Sequence, residues 1–189
     1  MLISLCLTST ALATTWTVDD DGLDFPKADF DNIQAAVDAA LDGDEIIVMP
    51  GTYTGTGDEV VDMLGKSLVL RSNGESELTI IDGEHSRRGI SVDDKSPLPH
   101  VIVIEGFTII NCSFSNNYGS GIGGFCTDST ININSCHFKN NEGYLGGGLL
   151  LQADVVSITN CTFSKNSAFQ SGGGAACTGT NIEISECVF

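Results

Sequence analysis

Basic side chains are scarce in this chain. Eight Lys and Arg stand against 25 Asp and Glu over 189 residues, a formal net charge of −17. A surface of that sign repels phosphate backbones and anionic headgroups, which argues against nucleic acid and charged membranes as partners. Acidic polymers such as unesterified pectin would need a bridging cation or a local basic patch. Aromatic residues make up 7% and charged residues 17%, too little of either for a typical helical bundle. After residue 13 no apolar run approaches the length of a transmembrane helix. There is no Cys-x-x-Cys pair to favour a zinc site, no nucleophile elbow with a Ser-His-Asp pattern and no phosphate-binding P-loop. Glycoside hydrolysis needs paired carboxylates about 5–9.5 Å apart. Of the 25 acids, 19 fall within residues 1–99 and 6 after them, and none recurs at one repeat position.

What is abundant is glycine, 22 residues of it, which with the low charge suits a turn-rich all-β chain. Met1 to Ala13 is uncharged, mostly apolar and ends in Ala11-Leu12-Ala13. That pattern reads as a signal peptide over residues 1–13, although no Lys or Arg precedes the apolar run. Its removal would take Cys6 and leave Cys112, Cys126, Cys136, Cys161, Cys177 and Cys187.

The remainder, 14–189, reads as one domain. Thr15-Trp16-Thr17-Val18 alternates as a short strand and breaks at Asp19-Asp20-Asp21-Gly22. Phe30, Ile33, Val37 and Leu41 share one face of a helix, with Asp31 and Gln34 as a capping box and Gly43 as its C-terminal cap. Such a helix before short strands fits an N-terminal cap over 14–45, covering the open end of a solenoid whose coils occupy 46–189. Looser strands at Ser67–Leu70, Leu78–Ile81, Gly89–Val92 and Val101–Ile104 read as early coils.

From Phe107 a repeat appears. Phe107, Ile131, Val156 and Ile182 align, followed by Ile109, Ile133, Ile158 and Ile184. Cys112, Cys136, Cys161 and Cys187 come next, then Phe114, Phe138, Phe163 and Phe189. Asn117, Asn141 and Asn166 lie three residues beyond the first three of those phenylalanines, and glycine clusters follow. Cys126, Leu151 and Cys177 share a later apolar position. The phenylalanines are 24, 25 and 26 residues apart, and the extra residues fall between Asn and glycine, which marks a loop. This is the signature of coils stacked at roughly 4.8 Å. The fold expected is therefore an all-β, right-handed parallel β-helix of about six coils, the last incomplete. The recurring Asn predicts an amide ladder at a tight turn, and the cysteines read as stacked small apolar side chains in preference to bridges. Because the chain stops at Phe189 in mid-coil, it reads as a fragment.

Two resemblances follow from particular residues. Phe114-Ser115-Asn116-Asn117, Phe138-Lys139-Asn140-Asn141 and Phe163-Ser164-Lys165-Asn166, with the glycine clusters after each, resemble the FxxN and GGA repeats of polymorphic outer-membrane proteins. That implies a secreted, adhesive β-helical passenger. Ile33-Gln34-Ala35-Ala36-Val37, Pro50-Gly51-Thr52-Tyr53 and Ile80-Ile81-Asp82-Gly83 are similar to the start of pectin-lyase-like proteins. The pectinesterase GxxDFIFG-like stretch is absent, so no catalytic residue is carried over.

Two local clusters were weighed as chemistry. Asp19-Asp20-Asp21-Gly22 offers oxygens for Ca²⁺ but reads better as a solvated turn. His85, Arg87, Arg88 and Lys95 offer a grip for an acidic glycan or a lyase base, but read better as a polar loop offsetting nearby acids. We therefore assign no catalytic, cofactor or metal residue. The expected function is a secreted or cell-surface, non-catalytic protein for adhesion or carbohydrate binding. The alternatives are a polysaccharide lyase or hydrolase with its site outside this chain, and a structural envelope or stalk component.

Overall fold

The computed structural model of the chain describes residues 12–93, 99–112, 122–125 and 129–189. Its strands all pair in parallel. Sheet one runs, in spatial order, through β1 (Thr15–Val18), β2 (Glu45–Val48), β5 (Val69–Ser72), β8 (Val101–Glu105), β11 (Thr130–Asn134), β15 (Val155–Thr159) and β19 (Asn181–Ser185). Sheet two stacks β3 (Gly51–Tyr53), β6 (Thr79–Asp82), β9 (Thr108–Ile110), β12 (His137–Lys139) and β16 (Thr162–Ser164). Sheet three stacks β4 (Glu59–Asp62), β7 (Arg88–Ser91), β10 (Ile122–Phe125), β14 (Leu149–Gln152) and β18 (Ala175–Thr178). The chain visits the sheets in that order, coil after coil, so five coils are complete and a sixth is begun. In the fourth and fifth, β13 (Glu142–Leu145) and β17 (Ser167–Ser171) form a separate two-stranded arm between sheets two and three.

Alternation along each strand turns every second side chain inward, and registered pairing stacks those side chains into columns. Ile46, Leu70, Ile104, Ile133 and Ile158 form one such column through sheet one. Tyr53, Ile81, Ile109, Phe138 and Phe163 form another through sheet two. Phe138 and Phe163 lie 4.8 Å apart with rings 4° from parallel, and Phe189 continues the stack 4.7 Å beyond Phe163. Burial of one such ring contributes roughly 1.5–3 kcal/mol, whereas the stacking adds about 0.5–1.5 kcal/mol. Burial therefore holds the coils together, and ring stacking helps fix which residues face one another.

The corners explain the spacing. Gly106, Ser135, Asn160 and Glu186 all have positive φ where sheet one turns into sheet two, and Asn111, Asn140 and Lys165 do so where sheet two ends. In this left-handed conformation the N–H of Ser135 turns along the stack to Thr159 O and that of Asn160 to Ser185 O. Each corner thus adds a five-residue unit, in which strand, left-handed residue and inward side chain recur. The left-handed residue at the second corner is Asn140 or Lys165, one position before the ladder asparagine. Asn141 Oδ1 accepts from Cys112 N, and its Nδ2 donates to Ile109 O. Asn166 serves Asn141 N and Phe138 O in the same way. The amide ladder is present as expected, though Asn117 lies outside the described residues.

A five-residue unit also makes the sequence pattern ambiguous by five, and the third coil takes the other frame. Ile131 pairs with Ile102 and Ile133 with Ile104, a separation of 29 residues, in place of the expected alignment with Phe107 and Ile109. Phe107 moves to the corner position held by Cys136, as His137 N donating to Phe107 O shows. Cys112 moves to the position of Asn141 and leaves the cysteine column, which keeps Cys136, Cys161 and Cys187. Leu151 faces Gly124 in place of Cys126, which lies outside the described residues. At Gly146 (φ 64) and Gly172 (φ 71) the arm turns into sheet three, and a Cβ there would collide with the carbonyls of Leu149 and Ala175.

The cap helix, α1 (Ile33–Ala39), is shorter than its apolar period predicts. Phe30 is held extended by a bridge to Val18, and Asn32 in place of Asp31 is the N-cap, accepting from Ala35 N at 2.8 Å. Ala40 is the C-cap, Gly43 lies beyond it, and Leu41 is exposed. Gln34 does not close a capping box. Its amide bonds both Asp62 N (2.7 Å) and Asp62 O (3.2 Å), acting as the missing neighbour for the edge strand β4. Lys66 Nζ caps the helix end, donating to Val37 O, Asp38 O and Ala40 O.

Asp44 ties the cap to the first coil. Its carboxylate accepts from Thr14 N, Leu41 N and Trp16 Nε1 at 2.7, 2.9 and 3.1 Å. Desolvation opposes its charge, but these bonds and the Lys66 charge outweigh that and hold its pKa below 3.8. The folded value is depressed, so the stabilisation is present above the unfolded pKa and is lost as pH falls through the folded one. Asp44→Asn is expected to cost roughly 1–3 kcal/mol at neutral pH, and to abolish the corresponding acid transition. Trp16, the single tryptophan, reports both by fluorescence during denaturant and pH titration. A variant as stable as wild type would contradict this role.

Candidate functional site

The acidic turn that begins at Asp19 folds back on the first coil. Asp19 is buried, and its carboxylate accepts from Phe25 N and Asp21 N. Asp20 accepts from Thr52 N at 3.2 Å, reaching over Gly51, where a Cβ would overlap its carboxylate. Asp21 accepts from Leu23 N, and Asp29 from both N and Oγ1 of Thr17. Residues 19–24 bend and are not a strand, so the alternation that would separate three Asp side chains does not apply. Asp19, Asp20 and Asp21 each bring an oxygen within 4.8 Å of the others. Their hydrogen bonds give all three a loop-building role. Beside them a cavity of about 490 Å³ lies between the helix start and the Tyr53–Val60 segment, lined in part by Asn32, Gln34, Thr54 and Glu59.

The basic concentration is dispersed by its own neighbours. Arg87 pairs with Glu84 and donates to Gly57 O, while His85 is exposed. Arg88 Nη1 lies 3.0 Å from Asp93 Oδ2 and 3.8 Å from Glu59 Oε1, and donates to Ser91 Oγ. Lys95 lies outside the described residues. Both arginines are therefore engaged with acids and do not form an open grip. The buried thiols are equally unsuited to nucleophilic chemistry: desolvation pushes Cys112 up to about 12 and Cys177 to about 11.

Two outward surfaces carry other chemistry. On sheet one Arg71 bonds Glu45, Asn134 bonds Glu105, and Thr159 donates to Asn134 Oδ1, a polar ladder running across the coils. On the arm, Tyr144 and Phe169 stack with centroids 5.6 Å apart and planes 17° from parallel. Gln170 Nε2 donates to the Tyr144 hydroxyl at 2.7 Å. Yet Tyr144 is 43% exposed and Phe169 82% exposed. The large rings described in the coil interior, Tyr53, Phe107, Phe138 and Phe163, are buried. Sequence reasoning passed over this pair because it falls in the length-variable stretch. A signal was there: each ring lies three residues after a ladder asparagine, Asn141 or Asn166.

The loop-building role of the acidic turn has a direct check. Millimolar Ca²⁺ is expected to leave the thermal midpoint unchanged, measured with and without chelator. A calcium-dependent rise of several degrees would show that the three carboxylates hold an ion.

Among the described residues no helix is long and apolar enough to cross a membrane. No curated protein and no solved structure matches the chain. A family profile described as a right handed beta helix region matches residues 72–189. That span covers most of the chain and the coils from β6 onward, so the protein belongs to the right-handed β-helix family.

Proposed function

We propose that this is a non-catalytic, exported β-helix protein that binds carbohydrate at a cell surface, with the aromatic arm as its contact. The observation that carries this reading is the exposed Tyr144–Phe169 stack with Gln170 beside it. A pyranose ring has a face of C–H groups and a rim of hydroxyls. An aromatic ring covers the first, and a fixed amide such as Gln170 meets the second. Uncovered aromatic surface forfeits burial worth roughly 1.5–3 kcal/mol per ring, and a ligand that covers it recovers part of that. The net charge of −17 favours neutral sugars over acidic ones. The pairing of Arg87 and Arg88 with acids, and of Asp19 to Asp21 with loop N–H groups, favours binding over turnover. The apolar leader Met1–Ala13 supports export, and repeats resembling those of outer-membrane passengers support a surface location.

The test is binding of the intact chain to insoluble neutral polysaccharides. Phe169→Ala and Tyr144→Ala should each weaken retention by about tenfold, equivalent to about 1.4 kcal/mol, with unchanged thermal midpoints. Retention equal to wild type in both variants would defeat the assignment.

A further inference from the structure

Cys136, Cys161 and Cys187 occupy the same corner of successive coils, each one residue after a left-handed Ser135, Asn160 or Glu186. Their backbones are locked in register: Thr162 N donates to Cys136 O and Val188 N to Cys161 O. Neighbouring coils stand about 4.8 Å apart, inside the Cα separation of roughly 4.4–6.8 Å that a disulfide spans. The side chains face one another as well. The thiol of Cys161 is hydrogen-bonded to that of Cys136 on one side and of Cys187 on the other. All three are free thiols. Three sulfurs in a row allow one bridge, with Cys161 as the shared partner and one thiol left over. Burial selects the partner: Cys136 and Cys161 are fully buried, while Cys187 is half-buried.

We propose that Cys161 and Cys187 form a redox-sensitive pair that closes a single coil-to-coil disulfide, leaving Cys136 a free thiol. The co-reactant is a small-molecule disulfide such as oxidised glutathione. The Cys187 thiolate attacks one sulfur of that disulfide, forming a mixed disulfide and releasing one thiolate. Cys161 then attacks the Cys187 sulfur, its proton leaving with the second small thiol. The protein loses two electrons and two protons, and the small disulfide is reduced to two thiols. Cys161 suits the resolving role: the Cys136 thiol beside it holds its pKa below 9.0, while burial pushes Cys136 well above that value. The bridge would staple the fifth coil to the strand that follows it, through the corner that stacking already aligns.

The experiment treats the reduced, folded chain with oxidised glutathione, alkylates remaining thiols after denaturation and maps the peptides. The expected result is a Cys161–Cys187 linked peptide, Cys136 recovered alkylated and a raised thermal midpoint. Cys187→Ser should leave Cys136 and Cys161 both alkylated, whereas Cys136→Ser should leave the bridge intact. Recovery of Cys161 and Cys187 as alkylated thiols in the wild-type chain, or a Cys136–Cys161 bridge in Cys187→Ser, would overturn the proposal.

Discussion

Each coil must present to the next the same shape at the same place, because its backbone hydrogen bonds run between coils and not within one. In a β-helix no local segment satisfies its own N–H and C=O groups, unlike a helix turn. The left-handed corners at Ser135, Asn160, Asn140 and Lys165 exist to keep those donors aimed along the stack. The ladder asparagines supply bonds where the backbone alone does not reach, one side chain serving an N–H and a C=O of the previous coil. The cap obeys the same requirement. At the first coil Gln34 bonds the free edge at Asp62, and Lys66 and Asp44 close the helix and loop ends.

That constraint was readable where it acts on composition. Alternating isoleucines, stacked phenylalanines and a recurring asparagine are what registered coils demand, and they identified the fold without coordinates. Register was less readable, because two corners of like geometry make the pattern repeat every five residues. Ile102, Ile104, Phe107 and Ile109 fit it as well as Phe107, Ile109, Cys112 and Phe114. The full coil before Ile131 is what separates the frames, since β8 must also pair with β5 upstream. The helix limits were misjudged for a related reason. Phe30 and Leu41 fit the apolar period, but pairing of Phe30 with Val18 and the carboxylate of Asp44 on Leu41 N fix the ends.

Function is written in the parts that stacking leaves unconstrained. Sheets and corners admit little variation, so chemistry collects in the segments between them: the acidic turn, the loop of Arg87 and Arg88, and the arm. In the first two, charged groups are paired or bonded to nearby backbone. On the arm, large rings stand in solvent, and that difference guided the assignment of a binding surface. The acidic turn also shows how sequence-level geometry can mislead, because strand alternation was assumed for three Asp residues that lie in a bend.

The central claim is the register of the coils, and cross-coil nuclear Overhauser contacts measure it directly. Contacts from Ile131 to Ile102, and from Cys136 to Phe107, are predicted. Contacts from Ile131 to Phe107 together with Cys136 to Cys112 would place the third coil in the other frame and contradict the account.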